Sequence, residues 1–179
     1  MGGTGPRPGV PALPLTPMAN PDLDGLALRD ARDDDSERLI ALIGAVYAEY
    51  PGCILDVDGE EPHLRRPASA FASWGGQLWV VESAVTAVAC AGFADHGHSV
   101  ELKHLYVARA ARRRGLGGHL AGLAEAAGRA RGRRRIELWT DTRFTDAHRL
   151  YERLGYVRGG TRTLHDLSRS REHHYRKSL

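Results

Sequence analysis

Cysteine is scarce in this sequence, and long apolar runs and internal repeats are missing from it. Its 179 residues carry two cysteines, Cys53 and Cys90. Two are too few for a disulfide framework and suit a reducing cytoplasm. No stretch approaches the ~20 apolar residues that a membrane-spanning helix needs, so no membrane partner is expected. The Gly- and Pro-rich segment from Gly2 to Pro21 lacks the apolar core of a secretory signal. It reads as a disordered tail over residues 1–25, with Met18 an alternative start. With no repeat visible, the remainder, 26–179, fits one domain large enough to bury a real core.

What the sequence does have is segregated charge. From Asp22 to Glu61 there are twelve acidic residues and three arginines, whereas from Arg109 to Arg135 there are nine arginines and one acid, Glu125. The first segment suits a cationic partner and the second an anionic one, set against the plainer reading of two solvated faces.

The order of elements favours a mixed sheet covered by helices. Leu26 to Arg29 reads as a short strand. Asp33 to Ser36 supplies N-cap chemistry for a helix with Leu39, Leu42, Ile43 and Val46 at helical spacing. Pro51-Gly52 ends it. The stretch from Cys53 to Ser73 has no clear period, although Pro67 can start a short helix under Phe71. Strands are predicted over 77–83, 85–93, 100–107, 136–140, 156–162 and 173–177. Helices are predicted from about Gly115, with Leu116, Leu120, Leu123 and Ala127 as the apolar stripe, and over 146–154, with Gly155 at the C-cap position.

The most informative segment runs from Leu105 to Leu120. A strand enters a basic turn, Arg112-Arg113-Arg114, and then Gly115-Leu116-Gly117-Gly118 opens an amphipathic helix. Glycine lets backbone approach a ligand closely. A helix N-terminus offers unpaired amides and the positive end of a dipole, and the arginines add attraction for phosphate. A P-loop needs Lys followed by Ser or Thr after its second glycine, where Gly118-His119 stands. The dinucleotide fingerprint needs Gly or Ala at position 120, which is Leu120.

Arg112-x-x-Gly115-x-Gly117 resembles the pyrophosphate loop of the GNAT superfamily of N-acetyltransferases. A second signature, Ala147-x-x-Leu150-Tyr151-x-x-x-Gly155-Tyr156, resembles the same superfamily and lies about thirty-five residues further on. The likeness extends from about Leu26 to Leu179 and is strongest over 100–156. It implies an α+β, three-layer fold with a mixed, mostly antiparallel sheet of six to seven strands, helices on both faces, and strands 4 and 5 splayed apart. Acetyl-coenzyme A would enter that wedge. Its pantetheine would pair with Leu105, Tyr106 and Val107 like an added strand, and its pyrophosphate would sit on the turn formed by Arg112, Arg113, Arg114, Gly115, Leu116, Gly117 and Gly118, with Ala147 lining the far side. Many members carry Asn three residues before that alanine. Here the position is Phe144, and Thr140 or Thr142 is the expected substitute.

The resemblance implies acetyl transfer to a primary amine by direct attack in a ternary complex. A free alkylamine has a pKa near ~10.4 and must lose a proton first. Glu101 is the leading candidate for the base and His104 the second. The amide of Leu105 would stabilise the oxyanion if the strand bulges there, and Tyr151 would protonate the leaving thiolate. The acidic mouth formed by Glu49, Asp56, Asp58, Glu60 and Glu61 points to a small cationic amine. The alternatives are a peptide acceptor, a non-catalytic acyl-coenzyme A sensor, and a nucleic-acid-binding module, the last disfavoured because no aromatics interleave with the basic runs. No metal is expected: Cys53 and Cys90 lack partner clusters, and His173 and His174 face opposite sides of a strand. A monomer or homodimer is expected.

Overall fold

β1, Ala27–Asp30, starts the sheet, and the acids that follow it are structural. We describe the chain from a computed structural model over residues 23–179. Met18 and the expected tail lie outside these residues except for Leu23 to Gly25, and Leu23 and Leu26 pack on the core. Asp33 to Asp35 form a 3-10 turn running straight into α1, Ser36–Tyr47. The expected N-cap is therefore replaced by contacts directed elsewhere. Asp35 accepts the Arg32 amide at 2.7 Å and grips the Arg29 guanidinium at 2.7 Å, and Arg29 also holds Glu82. Asp33 accepts the Ser69 amide at 2.8 Å, capping the next helix from outside it.

That helix, α2, spans Pro67–Ser73, and a 3-10 turn over Pro62–Arg65 precedes it. Then come β2, Gln77–Glu82, β3, Ala87–Asp95, and β4, Val100–Val107. The chain continues through α3, Leu116–Ala130, β5, Arg135–Asp141, α4, Thr145–Arg153, β6, Val157–Thr163, and β7, Arg171–Ser178. Gly155, at φ 84°, ends α4 as its position predicts.

The seven strands form one sheet in the order β1-β2-β3-β4-β5-β7-β6. Every pairing is antiparallel except β4 with β5, so the sheet is mixed and mostly antiparallel, as expected. On one face, Leu39 and Leu42 of α1 and Phe71 of α2 pack on Leu78, Val80 and Cys90. On the other, Leu116, Leu120, Ala121 and Ala124 of α3 pack on Phe93, Val100, Leu102, Ile136 and Leu138, and Tyr151 of α4 joins this cluster beside Tyr175. The small residues of β3 permit this closeness: a Cβ at Gly92 would overlap the Phe71 ring. No helix among the described residues is long and apolar enough to cross a membrane.

Candidate active site

Two irregularities in β4 open the site. Its register against β3 moves from Gly92↔Lys103 to Cys90↔Tyr106, so Ala91 alone stands opposite both His104 and Leu105. This is a β-bulge. Its turning residue is His104, at φ 54°, a conformation few non-glycine residues adopt. The Cys90 thiol donates to the His104 carbonyl at 3.2 Å beneath it. The second irregularity is the short contact with β5, which pairs at Val100↔Ile136 and Glu101↔Glu137 only, while β5 runs on beside β7 to Asp141. Beyond Glu101 the two strands part, and β4 keeps an unpaired edge.

The gap is a cavity of about 970 Å³. Leu105, Tyr106 and Val107 form one wall, Thr140, Ala147, Leu150 and Tyr151 the other, and Arg112, Arg113, Gly115, Leu116 and Gly117 the apex. At the apex, Arg113 and Gly115 are both left-handed, with φ 67° and 79°. As a result, the amides of Arg113, Gly115, Leu116, Gly117 and Gly118 donate to no backbone carbonyl among the described residues, and the first helical donor is His119, to Gly115. Such a run of free amides at the start of a 15-residue helix is an anion cradle.

The three arginines have different surroundings. Arg112 donates to the Val107 carbonyl at 3.1 Å and to Glu49 at 2.9 and 2.6 Å, lashing the turn to the end of α1. Arg113 lines the cavity, whereas Arg114 reaches the Asp24 carbonyl at 2.8 Å. Gly118 and Thr142 are likewise off the lining, with the Thr142 amide bonded to Arg171. Thr140 is on it. Phe144 packs at a tilt against Tyr50 and Tyr47, with centroids 4.7 and 5.8 Å apart, forming an aromatic bridge from the α4 side to α1.

Tyr151 is buried, its ring set against Tyr156 and Tyr175. Burial, with a smaller push from Tyr175, raises its pKa well above the ordinary value, so it stays protonated. Glu101 accepts hydrogen bonds from Lys103 at 3.1 Å and from His96 at 2.9 Å. Burial would lift its pKa, but the Lys103 charge and these two bonds hold it below the usual carboxylate range.

Across from Glu101 lies a group that sequence patterning did not assemble. The Nε2 atoms of His63 and His104 meet at 2.5 Å, with the rings 21° from parallel and centroids 4.8 Å apart, so the imidazoles touch tip to tip. Glu61 Oε2 lies 3.1 Å from His63 Nε2 and 3.6 Å from His104 Nε2. Burial, aided by nearby positive charge, pushes His104 down to about 3 and His63 to about 4, and burial lifts Glu61 to about 7. The ligand-bearing atoms of this trio lie within 4.8 Å of one another, a spacing that also permits a metal ion. His63 was missed because 53–73 has no period. The available signal was Glu61-Pro62-His63, where a proline opens a turn beside two titratable side chains.

Of the acidic mouth, Glu60 and Glu61 line the cavity, whereas Glu49 serves Arg112 and Asp58 pairs with Arg65. Cys53 and Cys90 are both free thiols. His174 stacks on Trp139 while His173 lies beside Arg158, on opposite faces as alternation requires.

A sheet split between a bulged strand and its parallel neighbour, with a helix N-terminus at the apex, defines the acyltransferase class that the two motifs implied. The profile of the acetyltransferase (GNAT) family matches residues 31–156, and the chain belongs to that family. Solved structures agree on the fold. A GNAT-family acetyltransferase of Staphylococcus aureus Mu50 superposes with a TM-score of 0.74 at 18% identity, over 86% of this chain and 99% of that one. The acetyltransferase yncA of Salmonella typhimurium, solved with its cofactor acetyl-CoA, gives 0.65 at 17% identity over 87% and 94%. The ribosomal-protein-alanine N-acetyltransferase of Brucella melitensis gives 0.65 at 19% identity over 86% and 99%. A comparison with curated protein sequences finds no significant match.

Proposed function

We propose that this chain transfers the acetyl group of acetyl-coenzyme A to the primary amine of a small cationic molecule, by direct attack in a ternary complex. The observation that carries this reading is the unpaired edge of β4 beyond Glu101, leading to the free amides before α3. Pantetheine amides would pair with that edge at Leu105 to Val107, and the diphosphate would sit on the amides from Arg113 to Gly118. The yncA structure with acetyl-CoA supports the choice of cofactor.

At the bulge, the Leu105 amide is the donor for the oxyanion, and one such donor lowers the barrier by roughly 3 kcal/mol. Tyr151, kept protonated by burial, is the acid for the thiolate. The acceptor side supports a small cation. Glu60, Glu61, Asp166 and Glu172 line it. Two loops roof it: the Ile54 amide donates to Ser168 Oγ at 2.8 Å and the Leu167 amide to Glu60 at 2.9 Å. That roof favours a small acceptor over an extended peptide.

Thiol release from acetyl-coenzyme A, measured across polyamines, amino sugars, amino acids and a lysine peptide, tests the assignment. The expected result is turnover with a small di- or polycation exceeding the peptide by at least tenfold in kcat/KM. Turnover with none of them would sink the reading.

A further inference from the structure

Of the carboxylates that line the cleft, most are already engaged. Glu101 is held by Lys103 and His96, Asp141 by Arg143, Asp146 by Arg149, and Glu172 by Arg162. Glu60 and Asp166 accept backbone amides. Glu61 has neither a guanidinium, an ammonium nor a backbone amide as partner among the described residues. It has the two histidines instead.

Its position gives a proton a way out. A second cavity, of about 860 Å³, lies beside the cleft. Glu60, Glu61, Glu101, Lys103 and His104 line both, and His63 lines the second. The trio thus lies where the chamber that would hold the thioester adjoins a second cavity.

We propose that Glu61, backed by the His63–His104 pair, receives the proton of the acceptor ammonium, in place of Glu101. The assignment rests on the acetyltransferase reading above. One proton passes from R–NH3+ to the Glu61 carboxylate, leaving R–NH2. The amine attacks the thioester carbonyl, so that a C–N bond forms and the C–S bond breaks, and the thiolate takes the proton of Tyr151. The second proton on nitrogen returns to the Tyr151 oxygen. Glu61 then loses its proton to water of the second cavity, giving one proton released per turnover.

The groups facing Glu61 support this role. Lys103 draws its pKa down, while Glu60 on its own loop and Glu172 of β7 push it up. Tyr47 of α1 and Tyr106 of β4 are neutral and hydrogen-bonded to each other at 3.2 Å. Burial dominates and leaves Glu61 at about 7, roughly 3 pK units nearer to an alkylammonium than an ordinary carboxylate. Both imidazoles are neutral at that pH, so they do not trap the carboxylate as a fixed ion pair.

The test compares Glu61→Gln and Glu101→Gln in the full chain, using the best amine of the panel. Glu61→Gln should lower kcat/KM for the amine about 100-fold and erase the acidic limb expected of the parent protein. Acetyl-coenzyme A affinity by calorimetry should stay within about twofold, which separates this loss from misfolding. Glu101→Gln should lose at least ten times less. If Glu61→Gln keeps its rate within threefold and retains the limb, the Glu61 assignment fails while the acetyltransferase reading stands. If the parent protein turns over no amine, both fall. Activity removed by a chelator and restored by Zn2+ would also overturn the assignment, because the trio would then be holding an ion.

Discussion

The two ends of the cleft are built from different materials. The end proposed to hold the cofactor is made of backbone: an unpaired strand edge and a turn before α3 in which Arg113 and Gly115 are left-handed. The acceptor end is made of side chains from three separate elements: Glu61 and His63 from the loop before α2, Lys103 and His104 from the bulge, and Tyr47 from α1. Backbone donors tolerate a change of side chain unless it adds bulk or strain. A site of converging side chains changes its chemistry with one substitution.

The sharpest way to break this contrast is Tyr151→Phe. It removes one hydroxyl from a wall both ends share, and kcat should fall about 100-fold with acetyl-coenzyme A affinity unchanged. Single-turnover kinetics with calorimetry check it, and a full-rate variant removes Tyr151 as the acid. Next is Gly117→Val, which acts on the cofactor end through bulk alone. A Cβ there already meets Leu150 Cδ2 at 3.0 Å. The expected loss is about 10- to 30-fold in acetyl-coenzyme A affinity, and an unchanged Kd would undermine the cradle.

The smallest effect belongs to the acceptor end and appears as stability. Glu61 has a folded pKa of about 7, above the ~4.3 of an unfolded chain. Its contribution is therefore fully present below ~4.3 and is lost as pH rises through 7. Glu61→Gln lacks that loss, so the Tm of the variant relative to the parent's should rise by several degrees from pH 5 to pH 8. Scanning calorimetry at the two pH values checks it, and a relative Tm that does not rise would mean that Glu61 is not desolvated.

Much of the backbone end of the cleft was legible because its determinants are local. The Arg112 to Gly118 spacing, the Ala147 to Tyr156 pattern and the apolar stripe of α3 each lie within one or two turns of chain. The strand order was legible mainly through the resemblance. The acceptor end was not legible in the same way. Glu61 read as one acid among five in a charged mouth, yet Glu49 belongs to Arg112 and Asp58 to Arg65. His63 stood in an aperiodic stretch. Arg114 sits in the basic turn with its neighbours, and only the fold shows that its side chain reaches the Asp24 carbonyl.

By itself, the sequence determined where the arginine- and glycine-rich turn falls, which helices carry an apolar face, and that the strand from Val100 runs into a glycine-rich helix start. These follow from the period of side chains and the conformational freedom of glycine, and both act over a few residues. Tertiary structure alone decided which charges stay available. Folding gives Asp30, Asp33, Glu49 and Glu60 partners distant in the chain. It also places His104, through a one-residue bulge, against His63 forty-one positions earlier. Burial and pairing across such separations set the pKa of Glu61, and no local pattern encodes them.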